Sequence, residues 1–384
     1  MDDMVEPIGQ EKPDMENHAK EKLVKRLTLA VTHQCNFSCR YCLQKHEDVS
    51  MTKETAMKAI DAFVSGICEG DKAQISFYGG EPLLQKELIK ELVRYSSEKI
   101  LSIPDTRLSF EITTNGLLLE EDFIAFAKKN KIFLALSHDG LAQDPVRPDR
   151  GGQMTKEIVD KKLQMLLKTF PETIVMMTVH PEYVDRIAES LKFFREMGVK
   201  SVSMVLALGE RADWDDAAFE KLKRELLKAE ALYEQWNAGN DVFRFIPFDN
   251  KIKNYICERD ADSVMCHFGC HKLMVDADGK YYPCSHFIGM DGYGIGSLDD
   301  GLNEEKLESL QSRRVEAEDC KECELRFRCR HTCACGNHGY TGDMSVVSAL
   351  QCEYEKLTIR LADRAAALLL NESNPAFVSR MYPN

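Results

Sequence analysis

The sequence predicts an α/β protein: a parallel sheet with helical crossovers in its first part and a small cysteine-rich domain behind it. Three observations carry this. Strand-length apolar runs lie near residues 26–32, 73–78, 108–113, 132–137, 173–179 and 201–207; helical periodicity separates them; and cysteines concentrate beyond residue 263. Residues 1–24 are polar and charged and read as an extension. Ala56, Ile60, Phe63 and Ile67 recur at helix spacing, as do Val184, Ile187, Leu191 and Phe194 before a stop at Gly198. Strands alternating with helices imply parallel pairing. Trp214 to Trp236 reads as a charged helix with Leu222, Leu226 and Leu227 as its apolar positions, the last helix of the sheet unit, and Asn250 to Cys257 bridges onward. The expected division is 1–24, 25–240, a linker at 241–262, a cysteine-rich domain at 263–360 and a C-terminal helix and tail at 361–384.

Composition narrows the function classes. The 384 residues are 29% charged and 44% hydrophobic, ordinary for a globular protein with a sizeable core. A net charge of −13 disfavours tight binding to a phosphate backbone, so no nucleic-acid partner is expected. No apolar run reaches membrane-span length and the opening Met-Asp-Asp-Met-Val-Glu carries no export signal, so the expectation is a cytoplasmic protein with no membrane partner. In a reducing compartment, fourteen cysteines read as metal ligands before disulfides.

The most informative stretch is Cys35-Asn-Phe-Ser-Cys39-Arg-Tyr-Cys42, directly after the first strand run. Three thiolates at Cys-x3-Cys-x2-Cys spacing can hold three corners of a cubane iron–sulfur cluster and leave the fourth iron open to a small molecule. A structural zinc site, which closes four ligands, fits the spacing poorly; unrelated buried thiols are the other alternative. The pattern resembles the radical S-adenosylmethionine (SAM) enzymes. That resemblance implies a partial, open (β/α)6 barrel with its site at the carboxyl ends of the strands, and places Tyr41 beside the SAM adenine.

Further segments fall at strand ends. Gly79-Gly80-Glu81-Pro82 follows the second strand; its glycines permit close backbone approach and its proline stiffens the exit. By resemblance this segment grips the SAM amino group. Asn115 follows the third strand and Ser137-His138-Asp139-Gly140 the fourth, and both resemble segments lining the SAM site, with Ser137 near the ribose or carboxylate. Arg147 and Arg150 are alternative partners for the SAM carboxylate, or simply solvated loop charges. Thr178, with Val205 or Leu206, reaches the adenine or serves only the core.

The later cysteines begin with Cys266, Cys270 and Cys284, where an Asp278-Gly279 turn between two apolar pairs reads as a β-hairpin presenting Cys284. Cys320, Cys323, Cys329, Cys333 and Cys352 follow. The series resembles the SPASM extension of radical SAM enzymes. The resemblance implies one auxiliary 4Fe–4S cluster on Cys266, Cys270, Cys284 and Cys333 and another on Cys320, Cys323, Cys329 and Cys352, three clusters in all. Cys68 reads as a helical core thiol, Cys257 and Cys335 stay open as replacement ligands, and a zinc ribbon remains the alternative for the paired cysteines.

The resemblance implies a reaction: the bound cofactor yields a 5′-deoxyadenosyl radical that takes a hydrogen atom from a ribosomally made peptide, and oxidative closure forms a thioether or carbon–carbon cross-link. A low-potential donor such as flavodoxin or ferredoxin would supply electrons; since residues 1–24 are too short for a leader-binding domain, recognition is expected from a separate leader-binding protein, from the barrel itself or through a substrate that needs no leader. Oxidation of a sulfatase Cys or Ser to formylglycine is the alternative; the enzymes that do this carry an aspartate after the equivalent of Cys284, where this chain has Ser285. His286 and Asp139 are weak candidates for the base, His286 reading more readily as a structural donor. A redox scaffold that does not use SAM is disfavoured by the Gly79–Pro82 segment, and a nucleoside or small-alcohol substrate is not distinguished by the barrel residues.

Overall fold

A computed structural model describes residues 24–209, 211–239, 241–256, 268–269, 272–314, 316–371 and 374–382. Six strands occupy the six runs: β1 (Lys25–Thr32), β2 (Lys72–Gly79), β3 (Arg107–Thr114), β4 (Ile132–Ser137), β5 (Ile174–Val179) and β6 (Ser201–Leu206). They lie side by side in chain order and pair in parallel throughout. Between them come α1 (Lys53–Ser65), α2 (Lys86–Ile100), α3 (Glu121–Lys129), a short α4 (Gln143–Val146), α5 (Lys156–Thr169) and α6 (Ile187–Glu196). This is the partial barrel that the sequence implies. In β1, Leu27 through Thr32 are all buried, as a strand covered on both faces must be. Strands β2, β3 and β5 alternate buried with half-exposed residues, which leaves one face of the sheet open toward the interior. All six carboxyl ends share one rim.

Helix ends follow local chemistry. Thr52 caps α1, its side chain accepting from the Thr55 amide, and the helix stops at Ser65 against Gly66. The chain leaves α6 through Gly198 at φ +89°. Because α1 ends at Ser65, Cys68 lies in the following loop and is exposed, which corrects its reading as a helical core thiol. Helix α7 (Asp216–Asn237) buries Leu222 and Leu226 but leaves Leu227 exposed.

Two features exceed the expectation. A short β7 (Arg244–Phe245) extends the sheet beyond β6 and leads into α8 (Ile246–Ile256). The hairpin at Asp278-Gly279 forms, as β8 (Lys272–Val275) and β9 (Tyr281–Tyr282), and joins the barrel: β8 pairs in parallel with β1 from Arg26–Lys272 to Leu29–Val275. Its turn needs Gly279 at φ +85°. The remaining helices are α9 (Glu304–Ser312), α10 (Glu318–Lys321), α11 (Ala334–Thr341), α12 (Ala349–Leu369) and α13 (Pro375–Met381). Helix α12 packs on α7 and α8 and runs unbroken through residue 360. No helix among the described residues is long and apolar enough to cross a membrane.

One side-chain bond ties the hairpin to the start of the cysteine loop: His33 Nε2 meets buried Asp276 Oδ1 at 2.6 Å, and the same oxygen accepts from the Ala277 amide. Replacing Asp276 by alanine leaves both partners short of an acceptor. The expected cost is about 1–3 kcal/mol, read by anaerobic urea unfolding, with Asp276→Asn costing less.

Candidate active site and metal centres

The cysteine loop is built by backbone contacts at the rim. Ser38 and Arg40 amides donate to Pro148 and Val146 carbonyls at 2.8 and 2.9 Å, and the Arg150 amide donates to Asn36 O at 3.0 Å. Beneath the loop passes the end of β2. The Gly80 amide donates to Thr32 O at 3.0 Å and the Glu81 amide to Gln34 O at 2.8 Å. A Cβ on Gly79 would stand 2.0 Å from Thr32 O, and one on Gly80 2.2 Å from Gln34 O. Only glycine permits this crossing.

Glu81 is buried and its carboxylate is fully engaged: Oε1 accepts from the Leu83 amide and the Thr114 hydroxyl at 3.0 and 2.7 Å, and Oε2 from the Asn115 amide at 2.8 Å. Burial raises its pKa against those hydrogen bonds. Asn115 Nδ2 in turn donates to Asn36 Oδ1 at 2.6 Å and points toward Cys35 Sγ at 3.9 Å. The motif at 79–82 and the end of β3 therefore act as one support for Cys35.

A second support sits across the mouth. The Tyr41 hydroxyl donates to Asp139 Oδ2 at 2.7 Å, Arg147 donates to the Tyr41 oxygen at 2.5 Å, and Asp139 Oδ1 accepts from the Thr178 amide at 2.8 Å. Asp139 is completely buried, which raises its pKa, with Arg147 opposing. Its bonds make it an anchor. Arg147 is buried against the Phe37 and Tyr41 rings, whereas the Arg150 side chain is exposed. Ser137 lies half-exposed at the rim, and its neighbour His138 is buried, bonded to Asp160 at 2.7 Å. Leu206 is buried and Val205 exposed.

Cys35, Cys39 and Cys42 lie close enough to raise one another's pKa. Burial is the larger cause and pushes Cys39 up to about 12; Arg147 opposes it at all three. The donor set suits a cluster. Three thiols share one rim, Arg147 Nε and Asn36 Nδ2 are buried beside them without partners, and the thiol protons are ones that iron displaces on binding.

The loop faces the end of the hairpin. Gln44 Nε2 donates to Ser285 O at 3.3 Å. The Tyr78 phenol lies beside the Ser285 side chain and within electrostatic reach of Cys42, Cys284 and Cys335. Cys335, left open by the sequence, joins Cys284 and Cys333: its sulfur is 3.4 Å from that of Cys333, and its hydrogen bonds hold Cys284 and Cys333 down to about 6. Cys257, Cys266 and Cys270 lie outside the described residues. Cys320, Cys323, Cys329 and Cys352 form another neighbourhood, each of the first three interacting electrostatically with Cys320 or Cys352. Among the described residues no three His, Cys, Asp or Glu side chains converge on the position of a single ion; a cubane instead spreads its thiolates over separate iron corners. His286 pairs with His338, Nε2 to Nδ1 at 3.0 Å, against Phe287, and burial lowers it to about 4.

Comparison with known proteins agrees. The Radical SAM superfamily model matches residues 29–194, and an uncharacterized Methanocaldococcus jannaschii protein, MJ0907, is 30% identical over 297 residues, 76% of this chain and 94% of that one. The chain belongs to the radical SAM superfamily. It is also similar to the cysteine-type anaerobic sulfatase-maturating enzyme of Clostridium perfringens, 24% identical over 324 residues (78% of this chain, 85% of the relative). The radical SAM cyclopropyl synthase TigE of Paramaledivibacter caminithermalis is 23% identical over 360 residues (88% and 73%). A solved structure of native anSMEcpe with bound AdoMet and Cp18Cys peptide shares the fold at TM-score 0.74, with 20% identity, covering 89% of this chain and 98% of that one. As a superfamily member, the chain uses SAM and an iron–sulfur cluster.

Gln44, Tyr78 and Asn36 escaped the sequence reading as site residues, whereas Cys335 stood there as a possible replacement ligand; of the three, only Tyr78, directly before Gly79, carried a positional signal. Replacing Gly80 by alanine drives a methyl group into Gln34 backbone and displaces the loop. Metal affinity there is expected to fall at least about tenfold, read as lost iron and lost cluster EPR. Gly66→Ala, whose new Cβ meets only Phe63 O at 3.5 Å, serves as the control and keeps both.

Proposed function

We propose that this radical SAM enzyme oxidises a side chain of a ribosomally made peptide, closing a thioether or carbon–carbon cross-link. The observation that carries the reading is the shared wall of Gln44, Tyr78 and Ser285, which sets the hairpin end at Cys284 opposite the mouth at Cys42. A substrate entering there meets both. Cys35, Cys39 and Cys42 would hold the SAM cluster; Cys284 and Cys333, with Cys266 and Cys270, one auxiliary cluster; and Cys320, Cys323, Cys329 and Cys352 the other. When bound, the first cluster with SAM would supply one-electron, hydrogen-abstracting chemistry, and the groups held by the later cysteines would serve as acceptor for the electron that ring closure releases.

The chain's own groups bind and shield. The backbone at Gly79 and Gly80, fixed under the loop, offers carbonyls to an amino group, and Arg147, buried with Nε unpartnered, offers a donor to a carboxylate. Tyr41 and Asp139 hold that guanidinium in place. Thr178 and Ser137 border the same rim. A low-potential flavodoxin or ferredoxin would deliver electrons, and a separate protein would present the peptide's leader.

The peptide class is supported by the Clostridium sulfatase-maturating relative, by TigE, and by the peptide bound in anSMEcpe. The sulfatase reading is the second one, favoured by the 85% coverage of that relative. Against it, Ser285 stands where those enzymes carry an aspartate, and a serine hydroxyl is a poor base without a partner. Anaerobic incubation with SAM, dithionite and candidate peptides, read by mass spectrometry, tests both. Cross-linking shows as loss of two hydrogens with sulfur retained; a Cys thiol replaced by an aldehyde supports the second reading. Absence of 5′-deoxyadenosine with every peptide, or turnover surviving alanine at Cys35, Cys39 and Cys42 together, would reject the proposal.

A further inference from the structure

We propose that Lys251 and Glu355 form a buried ion pair that positions the second auxiliary cluster and sets its reduction potential, the lysine raising it and the glutamate lowering it. The inference rests on the two-cluster reading above.

Lys251 lies on α8 and Glu355 on α12, each 4% exposed. The Lys251 ammonium contacts the Glu355 carboxylate and also donates to Arg328 O at 3.0 Å. Glu355 Oε2 accepts from the Arg330 amide at 2.9 Å. The two peptide groups flanking Cys329 are thus bonded to the two halves of one ion pair. The Arg328 guanidinium closes the frame, donating to Lys251 O at 3.2 Å and to Asp363 Oδ2 at 2.8 Å, and lying 5.0 Å from the Tyr255 ring centroid.

A buried ion pair is weak evidence for stability, because desolvation consumes much of its attraction. Two apolar side chains would join α8 to α12 equally well. What they would not do is hold the backbone on both sides of one cluster ligand and bias its charge. One-electron reduction of a cluster adds a negative charge, so a neighbouring ammonium favours the reduced form and a neighbouring carboxylate the oxidised one. Net charge and hydrogen bonding near the sulfurs are the levers by which proteins tune such clusters.

The test is an EPR-monitored redox titration of the full chain, anaerobically reconstituted, with Cys35, Cys39 and Cys42 changed to alanine so that only auxiliary signals remain. The second cluster's signal is the one that Cys329→Ser removes. Lys251→Met is expected to shift its midpoint negative, Glu355→Gln to shift it positive, and Lys251→Arg to leave it near the parent. A merely structural strut would not give opposite signs. Shifts in one direction for both variants, or in neither, overturn the inference. Should Lys251→Met fail to load iron, Glu355→Gln decides alone: a positive shift at full iron content supports it and an unchanged midpoint rejects it. Absence of any Cys329-dependent signal in the parent removes the two-cluster reading and this inference with it, whereas a signal indifferent to both charges removes the inference alone.

Discussion

Everything at the mouth depends on two strand ends crossing at backbone contact. Strand β2 leaves the sheet beneath the loop that follows β1, and the Gly80 and Glu81 amides bond to Thr32 and Gln34 carbonyls. Adjacent strands of a parallel sheet normally diverge into their own loops above the rim. Here they stay bonded for two further residues, which fixes the height of the loop above the barrel. From that level Cys35 reaches Asn115, and the Glu81 carboxylate reaches back to the end of β3. A side chain at either glycine would lift the loop and lose these contacts together, so the geometry of the cysteine loop is a backbone property before it is a cysteine property.

The second constraint is the pairing of β8 with β1. The cysteine-rich part is no appendage on a linker, because its hairpin continues the barrel sheet past β1, the strand that launches the loop. Any rotation of the hairpin would shear four parallel residue pairs and break the His33–Asp276 bond. The Cys42–Cys284 separation is therefore set by sheet register. On the proposed reading, in which the substrate would meet both ends, a rigid spacing limits the motion that would otherwise spread reacting groups over many geometries.

Much of this was legible in the sequence. The six strands follow from apolar runs whose length and spacing admit little else, and the three loop cysteines and Gly79–Pro82 fall at the ends of strands because the local pattern placed them there. The illegible parts share one physical cause: they depend on residues far apart in the chain. Tyr41 meets Asp139 across 98 positions and Lys251 meets Glu355 across 104, and nothing in the local pattern of either partner announces the other. The hairpin was readable from Asp278-Gly279, but its docking on β1 was not, since a short apolar strand fits any edge. Cys68 was misread for a local reason: Ile67 continues the helical periodicity, yet Gly66 ends the helix one turn earlier and carries the thiol into an exposed loop.

Burial at the mouth has a chemical consequence for assembly. Without metal, the loop thiols are held protonated, Cys39 most clearly, because thiolates there would be desolvated beside the carboxylates of Glu81 and Asp139. Arg147 offsets only part of that cost. On the proposed assignment of the cluster to these thiols, loading iron must release their protons, so affinity would rise with pH as long as the fold persists. Cys284 and Cys333 are poised differently: hydrogen bonds from Cys335 hold them near the thiolate form before metal arrives. The two groups of thiols thus start from unlike states: burial raises those at the barrel mouth, with Arg147 opposing, whereas hydrogen bonds with Cys335 lower Cys284 and Cys333 at the hairpin end.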